Sequence, residues 1–257
     1  MDVGTLEPLG YDDVGTGPAL MLVHGLTFSR RTWEPVVTAL ADRFRCVSVD
    51  LPGHGTSTGS GADPALLVQR LHATLEGAGV ATPVVVGHSA GALVAIGYAA
   101  RFGAAGVVDV DQPLLVGGFA ARLQQSAQAL RGPDFASAFA PFEQTIGVDL
   151  LPEPERSRVA ATRRVEQELV LDHWRLPLSS PPAQVQQLVD GMLDAIDVPF
   201  LYLAGQEPPE PVRAHLAAHL GGLEVVTWPG QGHLVHLAQP ARFAELLAAF
   251  ATRVAVA

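Results

Sequence analysis

The chain has 257 residues, a formal net charge of −10, 48% apolar residues and only 16% charged ones. That balance excludes a disordered chain, suits one large core with an insertion, and argues against nucleic acid or an anionic membrane as partner. All 16 basic residues are Arg, which removes Schiff-base, Walker-type and kinase-type lysine chemistry, and the one cysteine, Cys46, removes an internal disulfide and a Cys-based zinc site.

In chain order, Met1-Asp2-Val3-Gly4-Thr5 lacks the basic and apolar regions of a secretory signal, and no apolar run reaches the roughly 20 residues of a membrane span, so a cytoplasmic protein is expected. Ala19–Val23 predicts a buried strand ending at His24-Gly25, and residues 33–41 a helix. Residues 46–49 predict a second strand, with Cys46 as an inert buried thiol. Pro64–Gly77 has helical periodicity, with Leu66, Leu67, Val68 and Leu71 forming its apolar face. Residues 84–86 predict a third strand, followed at once by a turn and an apolar helix over 92–100. Residues 107–110, 200–203 and 224–228 predict three more strands, and 242–257 a closing amphipathic helix. Strands that are apolar throughout belong to a parallel sheet covered on both faces, and alternation with helices makes the class α/β. Between Gln112 and Ile196 the alternation stops; residues 112–196 read as a helical insertion, a lid over the carboxyl edge of a core made of residues 1–111 and 197–257.

Three stretches carry chemistry. Gly87-His88-Ser89-Ala90-Gly91 fits G-x-S-x-G between a strand and a helix, where a sharp turn exposes the Ser89 hydroxyl as a nucleophile. After His24-Gly25, the N–H of Leu26 can pair with that of Ala90 as an oxyanion hole. His233, in Gly230-Gln231-Gly232-His233 beyond the last strand, is the candidate base, because a serine hydroxyl needs a partner to take its proton. His236 is its close rival; His215 and His219 fall on a surface helix, and His72 and His173 in or beside helices. The histidines lack a ligand spacing such as H-E-x-x-H, so no metal and no cofactor is expected. His24 and Trp174 are the candidate substrate-contacting residues, Trp174 as an apolar wall in the insertion. Arg163-Arg164, near Glu166 and Glu168, reads as a solvated helix face.

Leu22-Val23-His24-Gly25, Asp50-Leu51-Pro52-Gly53-His54-Gly55-Thr56-Ser57, Gly87-His88-Ser89-Ala90-Gly91 and Gly230-Gln231-Gly232-His233 together resemble the α/β-hydrolase superfamily, over nearly the whole chain and in the order of its small esterases, C–C hydrolases and cofactor-free peroxidases. The resemblance implies an eight-stranded, mostly parallel sheet, a helical cap, nucleophile Ser89, base His233 and oxyanion donors Leu26 and Ala90. It breaks at the acid. The superfamily's usual G-x-x-D turn here reads Ala204-Gly205-Gln206-Glu207-Pro208-Pro209-Glu210, with Pro208 at the matching position. Asp111, at the end of the strand before the insertion, is the first candidate to replace it; Glu207 or Glu210, or no carboxylate at all, are the alternatives. Asp109, two residues deeper, suits a buried polar contact. The activity expected is serine hydrolysis of a small, largely apolar ester or a related acyl or C–C bond. A non-hydrolytic enzyme using His233 as a proton-transfer base (dioxygenase, lyase or cyclase) is the alternative, and a binding protein on the same fold the third reading.

Overall fold

The apolar runs form adjacent strands: β2 (Ala19–Val23), β3 (Arg45–Val49), β4 (Val84–His88), β5 (Gly106–Val110), β6 (Phe200–Ala204) and β7 (Leu223–Thr227), preceded by a strand not foreseen, β1 (Tyr11–Val14). In this computed structural model, which describes residues 6–255, they make one sheet in the order β1-β3-β2-β4-β5-β6-β7. The stretch Met1–Thr5 and the last two residues of the expected closing helix lie outside the described residues. Every pairing is parallel except β1 with β3.

Seven strands are present among the described residues, not eight. The reason is visible just before β1. The N–H of Leu9 donates to Thr74 Oγ1 (2.8 Å) and that of Gly10 to Ser57 Oγ (2.8 Å), so these backbone groups are satisfied by side chains and not by a further ladder. β1 itself is exposed at all four residues, and its Asp12 and Asp13 pair with Arg30 and Arg45. Charged edge strands of this kind resist pairing with another chain.

One face of the sheet is packed by Leu67, Leu71, Leu75, Ile96, Tyr98 and Phe200 with their neighbours, under helices α2 (Pro64–Gly77) and α3 (Ala90–Phe102). Trp33, Leu40, Val86, Val108, Phe243 and Phe250 pack the other, against α1 (Glu34–Leu40) and the closing helix Pro240–Ala255. α2 starts where its sequence says it should: Asp63 accepts from the N–H groups of Ala65 and Leu66, and Pro64 follows it. Between β5 and β6 the chain forms a run of helices from Gly117–Gln125 to Pro182–Asp194.

Register sets the function of this scaffold. Val86 lies opposite Leu22 on one side and Val108 on the other, and Val110 opposite Leu203. The carboxyl ends of β2, β4, β5 and β6 therefore open on one edge, and the residues that follow them (His24, Ser89, Asp111, Gly205) converge there.

Candidate active site

Ser89 sits between β4 and α3 with φ 53° and ψ −129°, a conformation that costs on the order of 1–3 kcal/mol for a non-glycine residue. The neighbouring strand holds it there, since its N–H donates to the Val110 carbonyl at 3.0 Å. The turn after β2 presses close: a Cβ at Gly25 would lie 3.2 Å from Ser89 Cβ and 2.8 Å from His88 Nδ1. Only glycine fits there without displacing the elbow. The N–H groups of Leu26 and Ala90 carry no protein acceptor among the described residues. Ala90 opens α3, so its N–H belongs to the positive end of a thirteen-residue helix.

One carboxylate lies against the His233 ring. His233 Nδ1 lies 2.7 Å from Asp111 Oδ2, and Asp111 Oδ1 accepts the N–H of Gly205 at 2.9 Å. The turn after β6 thus contributes a backbone donor to the carboxylate at the end of β5. Asp111 has φ 60°, a left-handed conformation that Asp tolerates better than most residues. Glu207 is turned away, paired with Arg213 (2.6 Å) and accepting from Thr227 Oγ1 (3.1 Å); Glu210 also pairs with Arg213. The carboxylate contact puts the His233 proton on Nδ1 and leaves Nε2 as the acceptor nitrogen. His88, the residue before Ser89, ties the two loops together: its Nε2–H donates to the His233 carbonyl at 3.0 Å, and the rings are 4.8 Å apart. No hydrogen bond joins the Ser89 hydroxyl to His233 Nε2 among the described residues; in unliganded sites such contacts are often long and tighten only with substrate.

His236, by contrast, touches no carboxylate. It is fully buried between Trp33 and His88, neither ring nitrogen has a partner, and burial lowers its pKa to about 3. Asp109 is fully buried as well; Oδ1 accepts the N–H of Gln112 (2.9 Å), Oδ2 is unpartnered, and burial pushes its pKa well up. Cys46 is buried, and burial lifts its thiol to about 12, which leaves it inert.

His24 departs from the expectation that it meets substrate. It has no exposed surface. Nδ1 donates to the Gly25 carbonyl (2.8 Å) and Nε2 accepts the N–H of Leu51 (3.0 Å), so the ring fastens the turn after β2 to the turn after β3. His54 does the same one turn on: Nε2 accepts the N–H of Thr27 (3.1 Å) and Nδ1 donates to the Pro52 carbonyl (3.0 Å). Burial lowers the pKa of His24 to about 3 and that of His54 to about 2. Both are neutral struts that shape the backbone carrying Leu26.

Arg163 also departs from expectation, since it is not on a solvated face. Its side chain is 13% exposed, its Nε donates to Thr27 Oγ1 (3.0 Å), its guanidinium lies 5.4 Å from the Phe28 ring centre, and it pairs with Glu143 (2.9 Å). The N–H of Arg164 adds a bond to the Thr27 carbonyl (2.9 Å). Thr27 has φ 72°, unusual for a β-branched residue, and the insertion holds it so from above. Sequence held no signal for this clamp, because its partners are 136 positions apart. Trp174 does lie in an apolar cluster, with Phe119, Phe139 and Phe142 at ring distances of 5.7, 5.6 and 5.0 Å, and Leu26 packs against the same cluster. Nor are the histidines all scattered. Side-chain ligand atoms of Asp190, His215 and His219 lie within 4.8 Å of one another, because two helices distant in sequence face each other.

Comparison with known proteins agrees with this architecture. A family profile described as the alpha/beta hydrolase family matches residues 20–246. An uncharacterized protein of Mycobacterium tuberculosis is 30% identical, with 92% of this chain and 76% of that protein covered. A 2-succinyl-6-hydroxy-2,4-cyclohexadiene-1-carboxylate synthase of Yersinia pseudotuberculosis is 29% identical, covering 91% and 87%. Among solved structures, a thermophilic esterase from Thermogutta terrifontis superposes with a TM-score of 0.66 at 24% identity, covering 96% of this chain and 93% of that one, and E-2-(acetamidomethylene)succinate hydrolase with 0.71 at 19%, covering 94% of each. No helix among the described residues is long and apolar enough to cross a membrane. The elbow, the sheet order and the matched span lead to one conclusion: the chain belongs to the alpha/beta hydrolase family.

Proposed function

We propose that the protein is a serine hydrolase that cleaves a small-to-medium, largely apolar carboxylic ester, or a related acyl or C–C bond, beneath a cap formed by residues 112–196. Ser89 Oγ attacks the carbonyl carbon while His233 Nε2 takes the hydroxyl proton. The N–H groups of Leu26 and Ala90 receive the negative charge that develops on the carbonyl oxygen. His233 then protonates the leaving group, and water, activated by the same ring, releases the acyl group from Ser89. Asp111 keeps the ring in its Nδ1–H tautomer and stabilises the imidazolium. The observation that carries this reading is the 2.7 Å contact between Asp111 and His233, with the second carboxylate oxygen held by Gly205, on the strand edge that bears Ser89. The aromatic cluster around Trp174 supports an apolar substrate. The experiment is labelling with a serine-directed fluorophosphonate, paired with Ser89→Ala on an ester panel. The wild type should be labelled, and the variant should lose at least about 1,000-fold in turnover. A folded wild type that stays unlabelled overturns the reading.

A second reading rests on the similarity to the cyclohexadiene-carboxylate synthase. In it His233 moves a proton on a substrate that never acylates Ser89. Ser89→Ala separates the two: a proton-transfer enzyme would keep much of its turnover on its own substrate.

A further inference from the structure

The last helix of the insertion, Pro182–Asp194, lies against the core helix Glu210–His219. Each presents one ligand pair at i, i+4 spacing: Asp190 and Asp194 on the first, His215 and His219 on the second. That spacing puts both members of a pair on one side of a helix. His215 Nε2 stands 3.4 Å from Asp190 Oδ1, and the two imidazole centres are 4.7 Å apart. Two ligands of a tetrahedral zinc, each about 2.0 Å from the ion, lie about 3.3 Å from one another, so the first pair already has the separation of coordinated atoms.

The surroundings have the form that orients metal ligands. His219 Nδ1 donates to Asp194 Oδ1 at 2.6 Å, which fixes the proton there and leaves Nε2 with a free lone pair. Gln186 Nε2 donates to Asp190 Oδ1 (2.7 Å) and to the Leu114 carbonyl (3.1 Å) and stands 3.5 Å from His215 Nε2, while its Oε1 accepts the N–H of Gly117 (3.0 Å). Asp190 is thus held by a side chain that is itself held at both ends. An ordinary surface ion pair needs neither of these supports. The all-nitrogen-and-oxygen donor set, two imidazoles and one carboxylate, suits zinc and its borderline neighbours over calcium or magnesium.

We propose that Asp190, His215 and His219 form a binding site for a zinc-class divalent cation that ties the helical insertion to the core. The site shares no residue with the proposed triad and does not depend on the hydrolase reading. Titration of Zn2+ into the untagged, metal-free full chain, followed by calorimetry, should show about one equivalent bound. Co2+ should give the visible absorption of a four- or five-coordinate centre. The His215→Ala/His219→Ala variant should weaken binding at least tenfold, and Asp190→Asn serves as a second, isosteric variant expected to act in the same direction. Zn2+ should raise the melting temperature of the wild type and not that of the double variant, because without the two histidines the ion has no ligand on the core helix. Absence of binding below millimolar Zn2+ overturns the proposal. So does undiminished binding in the double variant, and loss of that binding on His233→Ala would then assign the ion to the cleft.

Discussion

Two aspartates on one strand show how much a shift of two positions decides. Asp111 stands at the end of β5, where one oxygen meets His233 and the other the N–H of Gly205. Asp109 points to the same side but lies inside the sheet with one oxygen unpartnered, and burial pushes its carboxyl pKa well above the usual range. The same conservative change should therefore have opposite results. Asp111→Asn keeps the left-handed backbone but loses the Nδ1–H tautomer of His233, and ester turnover should fall on the order of 10^4-fold. Asp109→Asn supplies the neutral form that burial favours, so activity should persist and the urea midpoint at pH 7.5 should rise. The sign follows from linkage: a raised folded-state pKa gives stability that is full below the unfolded value near 3.8 and is lost as pH rises. A fall in stability on Asp109→Asn would show that the carboxylate is ionised and partnered. At this scale the sequence named Ser89, Asp111 and His233 as candidates, and the fold brings Asp111 and His233 into contact while Ser89 stands at the end of a neighbouring strand. The sequence was silent on His24, whose role depends on the N–H of Leu51, 27 positions away.

At the scale of elements, strands that are apolar on both faces were readable because burial on both faces leaves a run of Val, Leu and Ile. β1 was not, because an exposed edge strand with two aspartates carries no such run. The insertion was recognisable as helical, yet its contact with the turn after β2 was not, since a pair of arginines reads alike on a wet face or a clamp. That clamp makes its own prediction. Arg163 and Arg164 hold Thr27, the residue after Leu26, through one side-chain and one backbone bond. Removing the first should let the Leu26 N–H wander from the position a transition-state oxyanion needs. One hydrogen bond of this kind contributes about 1 kcal/mol, so Arg163→Ala should lower kcat roughly five- to tenfold. KM for a small ester should change little, because the donor acts mainly on charge that develops during reaction. Steady-state kinetics on one ester decide it; an unchanged kcat would detach the insertion from the oxyanion donors.

Across the whole molecule, the motif loops, the elbow and the closing helices are joined by imidazoles that burial keeps uncharged. His24 and His54 are 4.9 Å apart, His54 and His173 5.0 Å, and His88 and His236 4.6 Å. His24 and His236 are lowered to about 3, His54 to about 2, and His88 well below its usual value, each chiefly by burial. Their neutral state is favourable above the unfolded-state pKa near 6.5, and that contribution is lost progressively as pH falls from there towards 3. At pH 5 each such group costs up to about 2 kcal/mol relative to neutral pH, and four of them reach the size of a whole domain's stability. Asp109, whose pKa burial raises, works in the opposite direction, but it is one group against several lowered imidazoles. The urea midpoint should thus drop steeply between pH 7 and pH 5, with a net uptake of protons on unfolding. His236 makes no hydrogen bond, so His236→Leu removes one ionisable group without orphaning a partner; its midpoint should fall less over the same interval. A midpoint that stays level down to pH 5 in the wild type would mean that these rings ionise within the folded protein, and that the loops they brace open to water well before the core does.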